Sequence, residues 1–211
     1  MWVWAKEEQV NSKELKNKLF LDKDKSGNTA WHRAAKGGSL MALEVLWRGA
    51  KEVQMNTHEL LLAQIEEGKN SWTLAAQKGD REKLEKMWVW AKEVQLNSRT
   101  VRKMILLGKD TYGQTAWHKA ALFGRLEALE IIWSSCKKAG INTDELWLDK
   151  TWGGYNAFHL AVVKKHVEIK HKMVEWLVET HYNLGEIWKN LNPTKKTIVA
   201  CSGTEQQNEI I

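Results

Sequence analysis

Apolar residues return along this chain three or four positions apart, in blocks that copy one another. The clearest block runs Leu40, Leu43, Trp47, Ala50, Val53, a stripe that an amphipathic helix buries on one face. The stretch recurs as LEVLWRGAKEVQMN ending at Asn56, LEKMWVWAKEVQLN ending at Asn97 and LEIIWSSCKKAGIN ending at Asn142. The chain opens on the later part of the same block, MWVWAKEEQVN, so Trp2, Trp47, Trp88 and Trp133 are equivalent.

A second pattern precedes each block: TAWHRAAKGG from Thr29, NSWTLAAQKG from Asn70, TAWHKAALFG from Thr115 and a looser NAFHLAVVKK from Asn156. Each predicts a helix opened by Thr or Asn, whose side-chain oxygen can accept free N–H groups of the first turn. The paired alanines, Ala34-Ala35, Ala75-Ala76 and Ala120-Ala121, favour helix and let a neighbour pack closely. A third, short helix is expected at NSKELKNKLFL, NTHELLL and NTDELWL. There Asn stands three residues before Glu14, Glu59 or Glu145, a capping-box spacing with Asn in place of Ser or Thr.

The helix starts lie 41, 45 and 41 residues apart. The interval from each block-ending asparagine to the next start alternates 18, 14, 18, 14. Four residues are close to one helical turn, so the insertion lengthens a helix without rotating its apolar face. The true superperiod is therefore 86 residues. No strand alternation is found, and the expected class is all-α: a stack of helical repeats with an extra short helix in each unit.

These residues resemble the ankyrin-repeat family, whose unit reads roughly D-x-x-G-x-T-P-L-H-x-A-A-x-x-G-H. Asp24, Gly27, Thr29, His32, Ala34, Ala35 and Gly38 fall on the pattern, as do Asp110, Gly113, Thr115, His118, Ala120, Ala121 and Gly124; in the last copy Gly153, His159 and Ala161 match. The family's proline is Ala30, Ser71, Ala116 and Ala157 here, and its leucine is Trp31, Trp72, Trp117 and Phe158. The unit also exceeds the family's usual length of about 33 residues. The resemblance implies a right-handed ankyrin-like α-solenoid. It would hold a partial repeat over 1–21, repeats from about 22, 66, 108 and 149, an array reaching residue 191 and a tail over 192–211.

Composition narrows the chemistry. The chain has 211 residues, 43% hydrophobic and 27% charged, with 32 basic against 26 acidic residues giving +6. That mild excess favours acidic partners. No apolar run or leader suggests a membrane span or secretion, so an intracellular, cytoplasmic location is the default. The two cysteines, Cys136 and Cys201, form no C-x-x-C pair.

Candidate catalytic chemistry dissolves into the repeat. His32, His118 and His159 recur at one helix-start position, where the family's histidine bonds locally to the threonine, and Thr73 replaces it in the second copy. DKDKSGNTAWHR from Asp22 imitates a calcium loop but places Arg33 where the bidentate glutamate belongs. Cys136 takes the place of Ala50 and Ala91, and His166 and His171 are poorly spaced for one metal. No catalytic, cofactor or metal residue is expected, and the chain is not expected to be an enzyme.

The resemblance implies protein–protein recognition on the curved repeat face. The expected contact residues are the non-core positions of the first helices: Arg33, Lys36, Gln77, Lys78, Lys119, Phe123, Lys164 and Lys165. Tyr112, Trp152 and Tyr155 in the turns join them, either as anchors or as lids over the core. An acidic or amphipathic partner segment suits this bias. The alternatives are a nucleic acid or other polyanion held by basic residues, and a spacer within a larger protein. Self-association through the N-terminal edge, at Trp2 and Trp4, is a further expectation.

Overall fold

The computed structural model describes residues 18–93 and 105–180. Among them the chain forms α1 (Ala30–Gly37), α2 (Leu40–Glu52), α3 (Thr57–Leu62), α4 (Ser71–Lys78), α5 (Arg81–Glu93), α6 (Ala116–Leu122), α7 (Leu126–Lys138), α8 (Asp144–Leu148), α9 (Ala157–Val163) and α10 (Val167–Glu179). The described residues contain no strand beyond one isolated bridge, Gln64 with Asn70, so the fold is all-α as expected. No helix among them is long and apolar enough to cross a membrane. Trp2, Trp4 and the opening heptapeptide, the Asn11 cap with Glu14, Pro193, Cys201 and the tail lie outside the described residues.

Each first helix starts on its expected cap. The Thr29 hydroxyl accepts from His32 N–H, while the His32 ring accepts from Thr29 N–H at 3.3 Å. Thr115 with His118 and Asn156 with His159 repeat this reciprocal pair. At α4, Asn70 Oδ1 accepts both the N–H and the hydroxyl of Thr73, at 2.8 and 2.9 Å. The short helices depart from the expected box. Glu59 reaches the Asn56 side-chain amide and not its backbone, and in α8 the cap is Thr143, with Asn142 Oδ1 accepting from Asp144 N–H.

The first helices α1, α4, α6 and α9 pack side by side in chain order, and α2, α5 and α7 form a second row behind them. The paired alanines are almost wholly buried in the first row, where larger side chains would force the helices apart. Before each first helix the chain makes the same tight turn. Asp24, Ile65, Asp110 and Thr151 each accept at the carbonyl from the N–H of the glycine three residues on, at 2.9 Å. Those glycines, Gly27, Gly68, Gly113 and Gly154, have φ between +72° and +81°, a region costly to any residue with a Cβ. The fourth turn's pattern glycine is therefore Gly154 and not Gly153 as the alignment expected.

Tryptophan fills the space between rows, and it does so on the 86-residue superperiod. Trp31, Trp47 and Trp90 form a trio with centroids 5.0 to 6.1 Å apart. Trp117, Trp133 and Trp176, each 86 residues on, form the same trio at 5.3 to 6.2 Å. The stacked members match closely: Trp47–Trp90 is tilted by 14° and Trp133–Trp176 by 16°. Each trio joins one repeat to the next, first to second and third to fourth. Trp147 of α8 adds a fourth ring to the second trio, where the first half has Leu61.

The Trp72 indole N–H has no hydrogen-bond acceptor, so the ring serves by its volume. Its equivalent in the fourth repeat is Phe158. Trp72→Phe is expected to cost within about 1.5 kcal/mol, and Trp72→Ala about 3–5 kcal/mol. Urea unfolding of the two variants measures the difference, and equal losses would contradict the volume account.

Candidate binding surface

The turns before the first helices lie edge to edge and are tied across repeats. Thr111 N–H donates to Glu67 O at 2.9 Å and Trp152 N–H to Tyr112 O at 3.0 Å. At the other end of the first helices, roughly 10 Å away at 1.5 Å per residue, a second set of ties joins neighbours. Arg125 Nε donates to Gln77 O at 3.3 Å and His166 Nε2 to Leu122 O at 3.1 Å. Arg125 and His166 hold equivalent places ahead of α7 and α10. That shared place was a signal in the sequence, although neither residue had been expected to act as a clamp.

Eight of the eleven expected contact residues reach the surface at least in part. Arg33, Lys36, Lys78, Tyr112, Trp152 and Lys165 are exposed, and Phe123 and Lys164 are half-buried. They divide between two rims: Arg33, Tyr112 and Trp152 at the turns, the rest at the C-terminal ends of the first helices. Arg33 is engaged with Asp24, whose carboxyl is held down to about 2, chiefly by the backbone N–H of Asn28 and then by Arg33 and Ser26 N–H. Lys36, Lys78, Lys164 and Lys165 make no ion pair among the described residues.

Three expected contacts are instead buried: Gln77, Lys119 and Tyr155. Lys119 is drawn inward by Asp110, which is itself buried because its Oδ1 accepts the N–H groups of Tyr112 and Gln114. A carboxylate so enclosed requires a counter-charge, and the Lys119 ammonium supplies it at 3.0 Å from Oδ2. In the first half the equivalent Asp24–Arg33 pair stays open to water. Gln77 sits in the last turn of α4, where Arg125 reaches across to its carbonyl. Tyr155 packs with Leu122 and Leu160, and Phe123 rests against that cluster, so Tyr155 is a lid over the core.

Trp152, at 70% exposure the most exposed indole among the described residues, is nevertheless fixed in place. Its ring lies against Gly113, where an added Cβ would come 2.7 Å from Cδ2. Lys109 Nζ sits 5.0 Å from the ring centroid, and is itself held by Asp149 Oδ1 at 2.5 Å and Lys150 O at 3.0 Å. Lys109 was not among the expected residues; its contact with Trp152 depends on two turns coming together.

The repeat histidines have both ring nitrogens engaged where the bonds are resolved. His32 Nδ1 faces Thr29 and its Nε2 meets Ala63 O at 2.9 Å; His118 Nδ1 faces Thr115 and its Nε2 meets Asp149 O at 3.1 Å. The geometry suits a neutral ring that donates from Nε2 and accepts at Nδ1. Burial pushes His118 down to about 4 and His32 in the same direction. Cys136 is buried, and its thiol is pushed up to about 12 by that burial, which removes its nucleophilic form near neutrality.

No protein-family model matches the chain, and no curated protein matches it. Solved structures do. One is a chain of the crystal structure of the yeast ribosomal protein Rps3 in complex with its chaperone Yar1. It is 17% identical, with a TM-score of 0.57, and the match covers 78% of this chain and 94% of that one. The likeness is one of fold.

Two outcomes follow from these geometries. Between pH 6.5 and about 4 the unfolded chain binds a proton at His118 that the folded chain refuses, so stability must fall as pH falls through that window, by on the order of 3 kcal/mol. His118→Thr, the residue of the second repeat, should flatten this slope in urea titrations at successive pH values; an unchanged slope would contradict the account. Lys165 has φ +59° where the equivalent Gly79 and Gly124 have +78° and +72°. Lys165→Gly should therefore raise the unfolding free energy by about 0.5–1 kcal/mol, while Lys165→Ala should not.

Proposed function

We propose that the chain is a non-catalytic recognition scaffold of ankyrin-like repeats, binding another protein across α1, α4, α6 and α9 and the turns that precede them. The observation that carries the reading is the division of labour within each repeat. Alanine, histidine and tryptophan positions are buried and recur, while the exposed positions of the same helices differ from copy to copy. In a stack where each unit leans on its neighbours, such positions are free to specialise for a partner. The likeness to a chain from a complex between a ribosomal protein and its chaperone supports a protein partner. The exposed lysines favour an acidic or amphipathic segment, and the reading places the chain in the cytoplasm.

A nucleic-acid reading has one observation in its favour: Lys36, Lys78, Lys164 and Lys165 line the helix-end rim without ion pairs among the described residues. It requires binding that collapses steeply with salt.

Affinity capture from native extract separates these readings. Lys36→Glu, Lys78→Glu and Lys164→Glu together should abolish capture of a protein partner and leave the circular dichroism unchanged. Reversals at Arg48, Lys137 and Lys138, exposed on α2 and α7, should leave capture intact. Loss from the second set alone would move the partner to the other face. Capture that depends on added nucleic acid, or no capture at all, would overturn the protein-binding reading.

A further inference from the structure

The two halves of the chain, offset by 86 residues, reveal which turn residues the fold requires. At the third turn Tyr112 stands where the first turn has Ser26. At the fourth, Lys150, Trp152 and Gly153 stand where the second has Gln64, Glu66 and Glu67. The backbone is indifferent to the exchange, since the closing hydrogen bond of all four turns is 2.9 Å. Both halves also use the same contact above the left-handed glycine: Glu66 lies over Gly27, and Trp152 lies over Gly113. Folding of the first half is thus satisfied by serine and glutamate; in the second the Tyr112 ring also flanks the Lys119 ammonium at 5.8 Å, and the outward faces of the two rings are left over.

The exchange also changes the charge of the tip. Two exposed carboxylates, Glu66 and Glu67, give way to an indole and a glycine, a neutral Gln64 gives way to the ammonium of Lys150, and Ala63 gives way to Asp149, whose carboxylate is taken up by Lys109. Lys69, buried beside Glu67, becomes the buried Tyr155. What remains exposed is Trp152 at 70% and Tyr112 at 43%, on two turns joined by the Trp152 N–H to the Tyr112 carbonyl, with Lys109 against the indole and Lys150 two residues before it. The indole already rests against Gly113 and Lys109, and the backbone beneath it is tied by the Trp152 N–H to the Tyr112 carbonyl, so a partner that covers it meets a reduced ordering cost.

We propose that Tyr112 and Trp152 form the docking point for an acidic linear segment of a partner protein. An aliphatic or aromatic side chain of the segment lies against the indole, and a neighbouring carboxylate faces Lys150, which makes no ion pair among the described residues. This deepens the protein-recognition reading and rests on it. It also confines the anchor to the second half of the chain.

The test exploits the internal duplication. The full chain is used to select from a phage-displayed random peptide library, and the selected peptide is measured by fluorescence anisotropy. The variant Tyr112→Ser with Trp152→Glu carries residues that the first half already folds with, so its circular dichroism should be unchanged. Its affinity for the peptide should fall on the order of tenfold or more. The reciprocal variant, Ser26→Tyr with Gln64→Lys, Glu66→Trp and Glu67→Gly, should gain a second site and double the binding stoichiometry. Selected sequences should carry Asp and Glu around an apolar anchor.

Equal affinity in wild type and swap variant, a basic consensus, or no selectable peptide would overturn the proposal. So would oligothymidylate that binds through Trp152 in place of peptide, which would assign the pair to nucleic acid. If native partner capture survives the swap variant, this anchor fails while protein recognition stands. If wild type captures no protein, the broader reading fails by its own test.

Discussion

Everything in this molecule depends on flat, bulky rings being buried between units too thin to cover themselves. A single turn-and-two-helix unit leaves one face bare, and only its neighbour can hide it. Here the covering is done by indoles that reach from α5 onto Trp31 and Trp47, and from α10 onto Trp117 and Trp133. Each such ring pair contributes about 0.5–1.5 kcal/mol beyond the area it buries. Several buried indole N–H groups, among them those of Trp31, Trp47 and Trp117, find no acceptor. That loss is tolerable only because the rings are needed for their size. Leucine at the same places would leave voids, which accounts for the helix rows being spaced by tryptophan.

The frame was legible because it is local. Caps, paired alanines and the left-handed glycines act within a few residues, and their spacing is written directly in the chain. The histidines were legible for the same reason, as Thr29 and His32 complete each other three residues apart. The adjacent pair Gly153 and Gly154 was legible too: Gly154 lies 41 residues after Gly113 and 86 after Gly68, and it is the one that carries the positive φ.

Contacts that only the folded chain makes were not legible. Lys119 sits one turn into a helix, where lysine usually faces water, and only the enclosed Asp110, in the turn before the same helix, reverses this. Gln77 is covered by Arg125 from the next repeat, 48 residues along the chain. Trp152 and Tyr155 lie three residues apart in one turn and have opposite fates, because the turn aims one outward over Gly113 and the other down onto Leu122 and Leu160. Composition carries none of this, since it depends on which turn lies beside which.

The pairing of indoles also makes the joints unequal. Stacked rings bridge the first repeat to the second and the third to the fourth, whereas among the described residues no indole of the second repeat meets one of the third. That middle junction relies on helix packing and on a few ties, such as Arg125 to Gln77 O and Thr111 N–H to Glu67 O. The joints are thus held by different means: stacked rings at the first and the third, and at the second the close approach of helices in both rows.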